Sequence, residues 1–100
     1  MVTIMYAEKN KNFSLKLDGH AGFNPGNDIV CAGVSAITET LISLMEDFEE
    51  ISILEESGHV EIEGKLNNEI EKYLHFAITG YQGISMTYPD NVDFQLIAKE

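Results

Sequence analysis

One hundred residues with one cysteine, six lysines, no arginine and seventeen acidic side chains give a formal net charge of −11. The length fits a single domain over residues 1–100 and excludes two. The missing guanidinium removes the bidentate tool for phosphates and base edges, which argues against a nucleic-acid partner, and a lone cysteine excludes an intramolecular disulfide. The opening MVTIMYAEKNKNF has no apolar run of signal-peptide length, and nowhere do roughly 18 apolar residues follow one another, so no membrane span is expected and the cytoplasm is the expected compartment.

Val2, Ile4 and Tyr6 alternate with Thr3, Met5 and Ala7, and Phe13, Leu15 and Leu17 alternate with Ser14, Lys16 and Asp18. This period of two on both sides of EKNKN predicts a β-hairpin over residues 2–18. Residues 19–28, GHAGFNPGND, hold three of the eight glycines and one of the two prolines, and read as a loop. The period then changes. Val30, Val34, Ile37, Leu41, Leu44 or Met45, and Phe48 recur at helical spacing, which predicts a helix from about residue 29 to 50 with Asp28 as its N-cap. Ala32, Gly33 and Ala36 leave room for close packing on its first turns. ISILEE and HVEIEG around Ser57-Gly58 predict a second hairpin with one wet face. Asn67 or Asn68 then caps a second helix through Ile70, Leu74, Ala77 or Ile78, Tyr81, Ile84 and Tyr88, which Pro89 ends. Val92, Phe94 and Leu96 form a short last strand. The order β-β-α-β-β-α-β predicts an α+β domain with a mixed or mainly antiparallel sheet and two helices.

Cys31 falls in the first turn of helix one, where free amides and aligned peptide dipoles favour an anion and therefore a thiolate. His20 lies eleven residues earlier, where the second strand ends. A strand–loop–helix connection of this length lets the two meet across the loop, as a Cys-His pair suited to nucleophilic attack on a carbonyl. Backbone amides at the helix start, those of Cys31 and a loop neighbour, are the expected oxyanion donors. Each residue taken singly has a plainer reading: a lone cysteine on a helix is more often buried packing, a histidine at a strand end more often a brace, and Asp28 more often a cap than a catalytic orienter. Their coincidence on one short segment favours chemistry. Ser35, one turn below Cys31, reads first as helix packing and second as site lining. His59 and His75 read as exposed on a strand and on helix two, without assigned chemistry.

No spacing supports metal binding, GFNPG lacks the lysine and hydroxyl ending of a phosphate loop, and no cofactor is expected. The acidic run EDFEE, residues 46–50, reads as the solvated end of helix one and as an attraction for a basic protein or peptide. A non-enzymatic acidic module binding such a partner is the alternative to catalysis, and a redox-sensing thiol a third reading.

The segment GHAGFNPGNDIVCAGVS, residues 19–35, resembles the ribosomal-processing cysteine proteases of the Prp type: a GHA box, a glycine loop, then D-(I/L)-V-C-A-(G/A)-x-S opening a helix. The likeness extends along the chain to the turn Tyr88-Pro89-Asp90. It implies a homodimeric bacterial enzyme, or a phage or prophage counterpart, that removes the N-terminal extension of large-subunit ribosomal protein twenty-seven, or of a virion protein with a similar segment, by cutting after an aromatic residue. The resemblance matches His20 to the catalytic histidine and Cys31 to the nucleophile. It matches the loop carrying Gly22 and Gly26 to a segment that orders over bound peptide, and Gly19, Asp28 and Ser35 to supporting positions. The His-to-Cys spacing is one residue shorter than is usual in the family.

Overall fold

A computed structural model describes residues 1–100. The elements run β1 (Val2–Lys9), β2 (Asn12–Gly19), α1 (Ile29–Met45), β3 (Ile51–Glu56), β4 (His59–Lys65), α2 (Asn68–Thr87) and β5 (Val92–Lys99). They build one five-stranded sheet in the order β3-β4-β2-β1-β5. The β1–β2, β2–β4 and β3–β4 pairs are antiparallel and β1–β5 is parallel, so the sheet is mixed as the element order implies.

Alternation sets which face is covered. Val2, Ile4, Tyr6, Phe13, Leu15, Leu17 and Ile62 are buried, and they meet Val30, Val34, Leu41, Ile42 and Met45 of α1 and Ile70, Leu74, Ala77 and Tyr81 of α2 in one cluster. The strand register aligns these side chains in rows: Ile53, Ile62, Leu15 and Tyr6 follow one another across β3, β4, β2 and β1. Each fully buried large aliphatic or aromatic side chain contributes about 1.5–3 kcal/mol. Both helices lie on this face, and Thr3, Ser14, Lys16, Glu61 and Glu63 look out from the other.

The hairpin turns follow from their residues. Asn10 and Lys11 both take positive φ, 53° and 63°, the pattern of a two-residue turn that matches strand twist. Close helix packing uses the expected small residue: a Cβ on Gly33 would stand 3.4 Å from the Ile84 Cδ1 of α2, and Gly80 of α2 receives Ile37 in return, with 2.8 Å left for a Cβ.

Two boundaries differ from expectation. Helix α1 ends at Met45 instead of near residue 50. No basic residue stands in its last turn, and Glu46, Asp47, Glu49 and Glu50 would add like charge to the negative end of the helix dipole. The acidic run is therefore a turn leading into β3, not the end of the helix. Strand β5 extends to Lys99, past the expected Leu96, because β1 offers partners along its whole length; the register shift between Tyr6 and Ala7 leaves Ile97 as the extra residue of a bulge.

One buried polar contact joins the helices. The Thr38 hydroxyl donates to the Val34 carbonyl at 2.8 Å, and Tyr81 completes its bonding at 2.7 Å. Burial pushes the Tyr81 phenol up to about 12. Replacing Thr38 by Val should strand the phenol and cost about 1–3 kcal/mol. Thr38→Val combined with Tyr81→Phe should cost less than the sum of the single changes. Urea unfolding of the four proteins measures this; strict additivity would show that the bond carries no coupling.

Candidate active site

The sheet end beside the start of α1 is where β2 releases the chain. Gly19 ends β2 with φ +96°, and a Cβ there would lie 2.3 Å from the Met1 carbonyl oxygen, so only glycine fits both the dihedral and the space. The next residue, His20, is exposed and leaves the sheet at the tip of the β3–β4 turn. Gly19 donates its amide to the Gly58 carbonyl at 2.9 Å. A Cβ on Gly58 would stand 3.0 Å from His20 Nε2, so the imidazole rests against the turn at a residue whose φ of +73° favours glycine.

The loop returns to α1 through Asp28. Its carboxylate accepts from the Cys31 amide and from the Phe23 amide, each at 2.9 Å. The Cys31 bond, followed by those from the loop and first turn, holds the Asp28 carboxyl below its ordinary value. Asp28 is therefore the cap that the sequence predicts, and it also closes the loop. Further along, Asn91 donates to the Ala21 carbonyl at 3.0 Å, and the Phe23 ring meets Tyr88 edge-on with centroids 5.3 Å apart. The turn after α2 thus braces the loop, while Gly22 and Gly26 stand on its exposed side with positive φ.

His20, Cys31, Ser35 and Gly19 line one cavity of about 240 Å³, together with Thr38 and Glu39 of α1, Glu55 and Glu56 of β3, and Gly58 and His59. Gly22, Gly26 and Asp28 lie outside its lining. Cys31 is half-buried and reduced, and Ser35 is exposed one turn further along the same helix. His20 and Cys31 share the cavity without a hydrogen bond between them. The Cys31 amide, expected as an oxyanion donor, is taken by Asp28. Across the cavity the Glu39 carboxylate raises the Glu55 carboxyl above its ordinary value. No three His, Cys, Asp or Glu side chains are grouped to hold a metal ion, and no helix is long and apolar enough to cross a membrane.

His59 departs from expectation. It is half-buried at the cavity wall, not free on a strand face, with Nδ1 bonded to Asp18 and Nε2 to Glu61 at 2.8 Å. Asp18 and His59 are directly opposed across β2 and β4, so the pairing is visible only once the strands are aligned. His75 is exposed on α2, as expected.

The family model for cysteine protease Prp matches residues 1–93. The chain belongs to the Prp family. It is a cysteine protease, as the opening signature implies. The essential ribosomal processing protease Prp of S. aureus, solved with a covalently linked product peptide, superposes with a TM-score of 0.85 at 25% identity, covering 96% of this chain and 99% of that one. The same protease with a substrate peptide gives 0.80 at 24% identity, over 96% and 99% of the two chains. SMU.848 from Streptococcus mutans shares the fold, with a TM-score of 0.74 at 20% identity over 99% of this chain and 96% of that one. No curated protein matches the sequence.

The Asp28 cap has a titration sign. Because its folded value is lowered, its contribution is present above the ordinary 3.8 and is lost as pH falls through the folded value. The Phe23 and Cys31 amide proton shifts should therefore move together below pH 3.8. In Asp28→Asn, which keeps a cap acceptor without a titrating group, that joint step should disappear; amide shifts that move independently would show that the carboxylate does not bridge loop and helix.

Proposed function

We propose that this Prp-family protease cleaves peptide bonds with Cys31 as nucleophile and His20 as base and then acid. The observation that carries the reading is their convergence on one cavity from the two ends of the glycine loop. With the Cys31 amide held by Asp28, activation of the thiol is assigned to a side chain, and the cavity shared with Cys31 supports His20 in that role. His20 takes the thiol proton, and the thiolate sulfur bonds to the scissile carbonyl carbon. The tetrahedral intermediate collapses as the imidazolium protonates the leaving amine, which departs as the new N-terminus. Water then attacks the thioester, His20 accepts its proton, and the acid is released with the thiol restored.

The substrate is a peptide segment of a basic protein. Glu39, Glu55 and Glu56 line the same cavity, and the chain carries a net charge of −11, so a lysine-rich segment is drawn to the mouth. The cavity, about 240 Å³, suits one large side chain beside the scissile bond better than a whole cofactor-sized ligand. An aromatic residue there, in the N-terminal extension of a ribosomal protein, fits this volume and agrees with the S. aureus relative being a ribosomal processing protease.

Cleavage of a peptide carrying such an aromatic site tests the assignment. Cys31→Ala should abolish turnover, and His20→Ala should lower kcat by about 10²–10⁴-fold. Iodoacetamide should label Cys31 of the wild type faster than Cys31 of His20→Ala. Full turnover by either variant would remove that residue from the chemistry.

A further inference from the structure

His59 is bonded at both ring nitrogens to acceptors only. Nδ1 faces the Asp18 carboxylate and Nε2 the Glu61 carboxylate at 2.8 Å, and Glu61 also meets Lys16 at 3.7 Å. In register, Asp18 opposes His59 and Lys16 opposes Glu61, which makes a block of alternating charge across β2 and β4. An isolated exposed ion pair contributes little stability. The location of this block gives it another use. The rung immediately beyond it joins Gly19 to Gly58, two glycines at positive φ, and that rung carries His20 on one side and its resting surface on the other. Glycine backbone is the least restrained of all, so little in the rung itself fixes the imidazole.

Resting on the assignment of His20 and Cys31 made above, we propose that His59, clamped between Asp18 and Glu61, is a positioning residue: it holds the last side-chain-bearing rung of the β2–β4 ladder so that the Gly19–Gly58 rung places His20 toward Cys31.

Two carboxylates can both be satisfied only by an imidazole that donates from both nitrogens, so the clamp is complete in the charged form. Glu61 first and Asp18 second raise the His59 imidazole above its ordinary 6.5. The clamp is therefore whole below pH 6.5 and is lost as pH rises through the folded value. The charged groups around it are Lys16 and Asp18 on β2, Glu61 on β4, Glu56 opposite on β3, and His20, Glu39 and Glu55 around the cavity.

The test compares wild type, His59→Gln and His59→Arg in cleavage of the aromatic-site peptide across pH, with the ring protons of His20 followed by NMR in the resting proteins. Loss of the clamp should lower kcat about tenfold or more, as small misplacement of a catalytic group does, with KM little changed in His59→Gln. His59→Arg, which spans two carboxylates at every working pH, should retain kcat and lose the alkaline decline that His59 imposes on the wild type. Asp18→Asn, which keeps the histidine, should repeat the defect if His59→Gln fails to fold. Wild-type kcat and an unchanged pH profile in His59→Gln, or in Asp18→Asn, would overturn the proposal. The His20 resonances separate this outcome from a failure of the active-site assignment. A second inflection at the His59 midpoint supports the clamp even if the peptide is not cut, and its absence counts against the clamp even if Cys31→Ala is inert.

Discussion

The Asp28 carboxylate is the constraint on which the site depends. One oxygen accepts from the Cys31 amide and the other from the Phe23 amide, so a single side chain both starts α1 and closes the loop that began at His20. Without it, the chain between β2 and α1 would be joined to the body at Ala21 through Asn91 and at Phe23 through the Tyr88 ring. Those contacts come from the turn after α2, so the far end of the chain takes part in shaping a loop far from it in sequence. The loop is thus anchored at both ends and at Phe23, and its remaining residues, Asn24 to Asn27, face solvent.

The two residues of the proposed dyad are held by different physics. Cys31 sits on a helix whose buried residues Val30, Val34 and Thr38 fix its rotation against the core, so the thiol direction is set by packing. His20 has no such support. It lies past the last strand residue, between Gly19, required by a 2.3 Å approach to the Met1 carbonyl, and Gly58, favoured by its φ of +73°. In the proposed roles, the nucleophile is the packed residue and the base the one on a glycine rung, so the adjustable half lies on the sheet side, where the cross-strand charges gather.

Most of the architecture is legible in the sequence because period two and period 3.6 are cleanly separated in this chain. Asp28, Asn67 and Pro89 mark the helix ends by the chemistry of caps and of a missing amide. The misreadings have local causes. Phe48 keeps helical spacing with Leu44 and Met45 although the helix has ended, since a half-buried turn residue can meet the core at the same interval. The alternation of β5 fails at Leu96 and Ile97 because a bulge sits there. His59 looked idle because its partner Asp18 is distant along the chain. Only the antiparallel alignment of HVEIEG with FSLKLDG brings Lys16 opposite Glu61 and Asp18 opposite His59. His20 and Cys31 stand out as a candidate pair because both flank one loop, and the Asp28 bond to the Cys31 amide follows from the cap spacing, which sets Cys31 three residues after the cap; that bond takes the amide expected as an oxyanion donor.

The charge arrangement around the cavity joins these observations. Lys16, Asp18, Glu61 and protonated His59 together are neutral, and the same four carry one net negative charge when His59 loses its proton. Glu39, Glu55 and Glu56 already make the mouth negative, which favours a basic segment. In the proposed mechanism the thiolate formed during attack pairs with the imidazolium it creates on His20, because an ion pair formed at short range is screened far less than interactions across the cavity. In the proposed mechanism, acidity that attracts a basic segment makes the chemistry depend on the distance between His20 and Cys31, and the cross-braced block at the end of β2, neutral when His59 is protonated, is the element proposed to limit the freedom of His20.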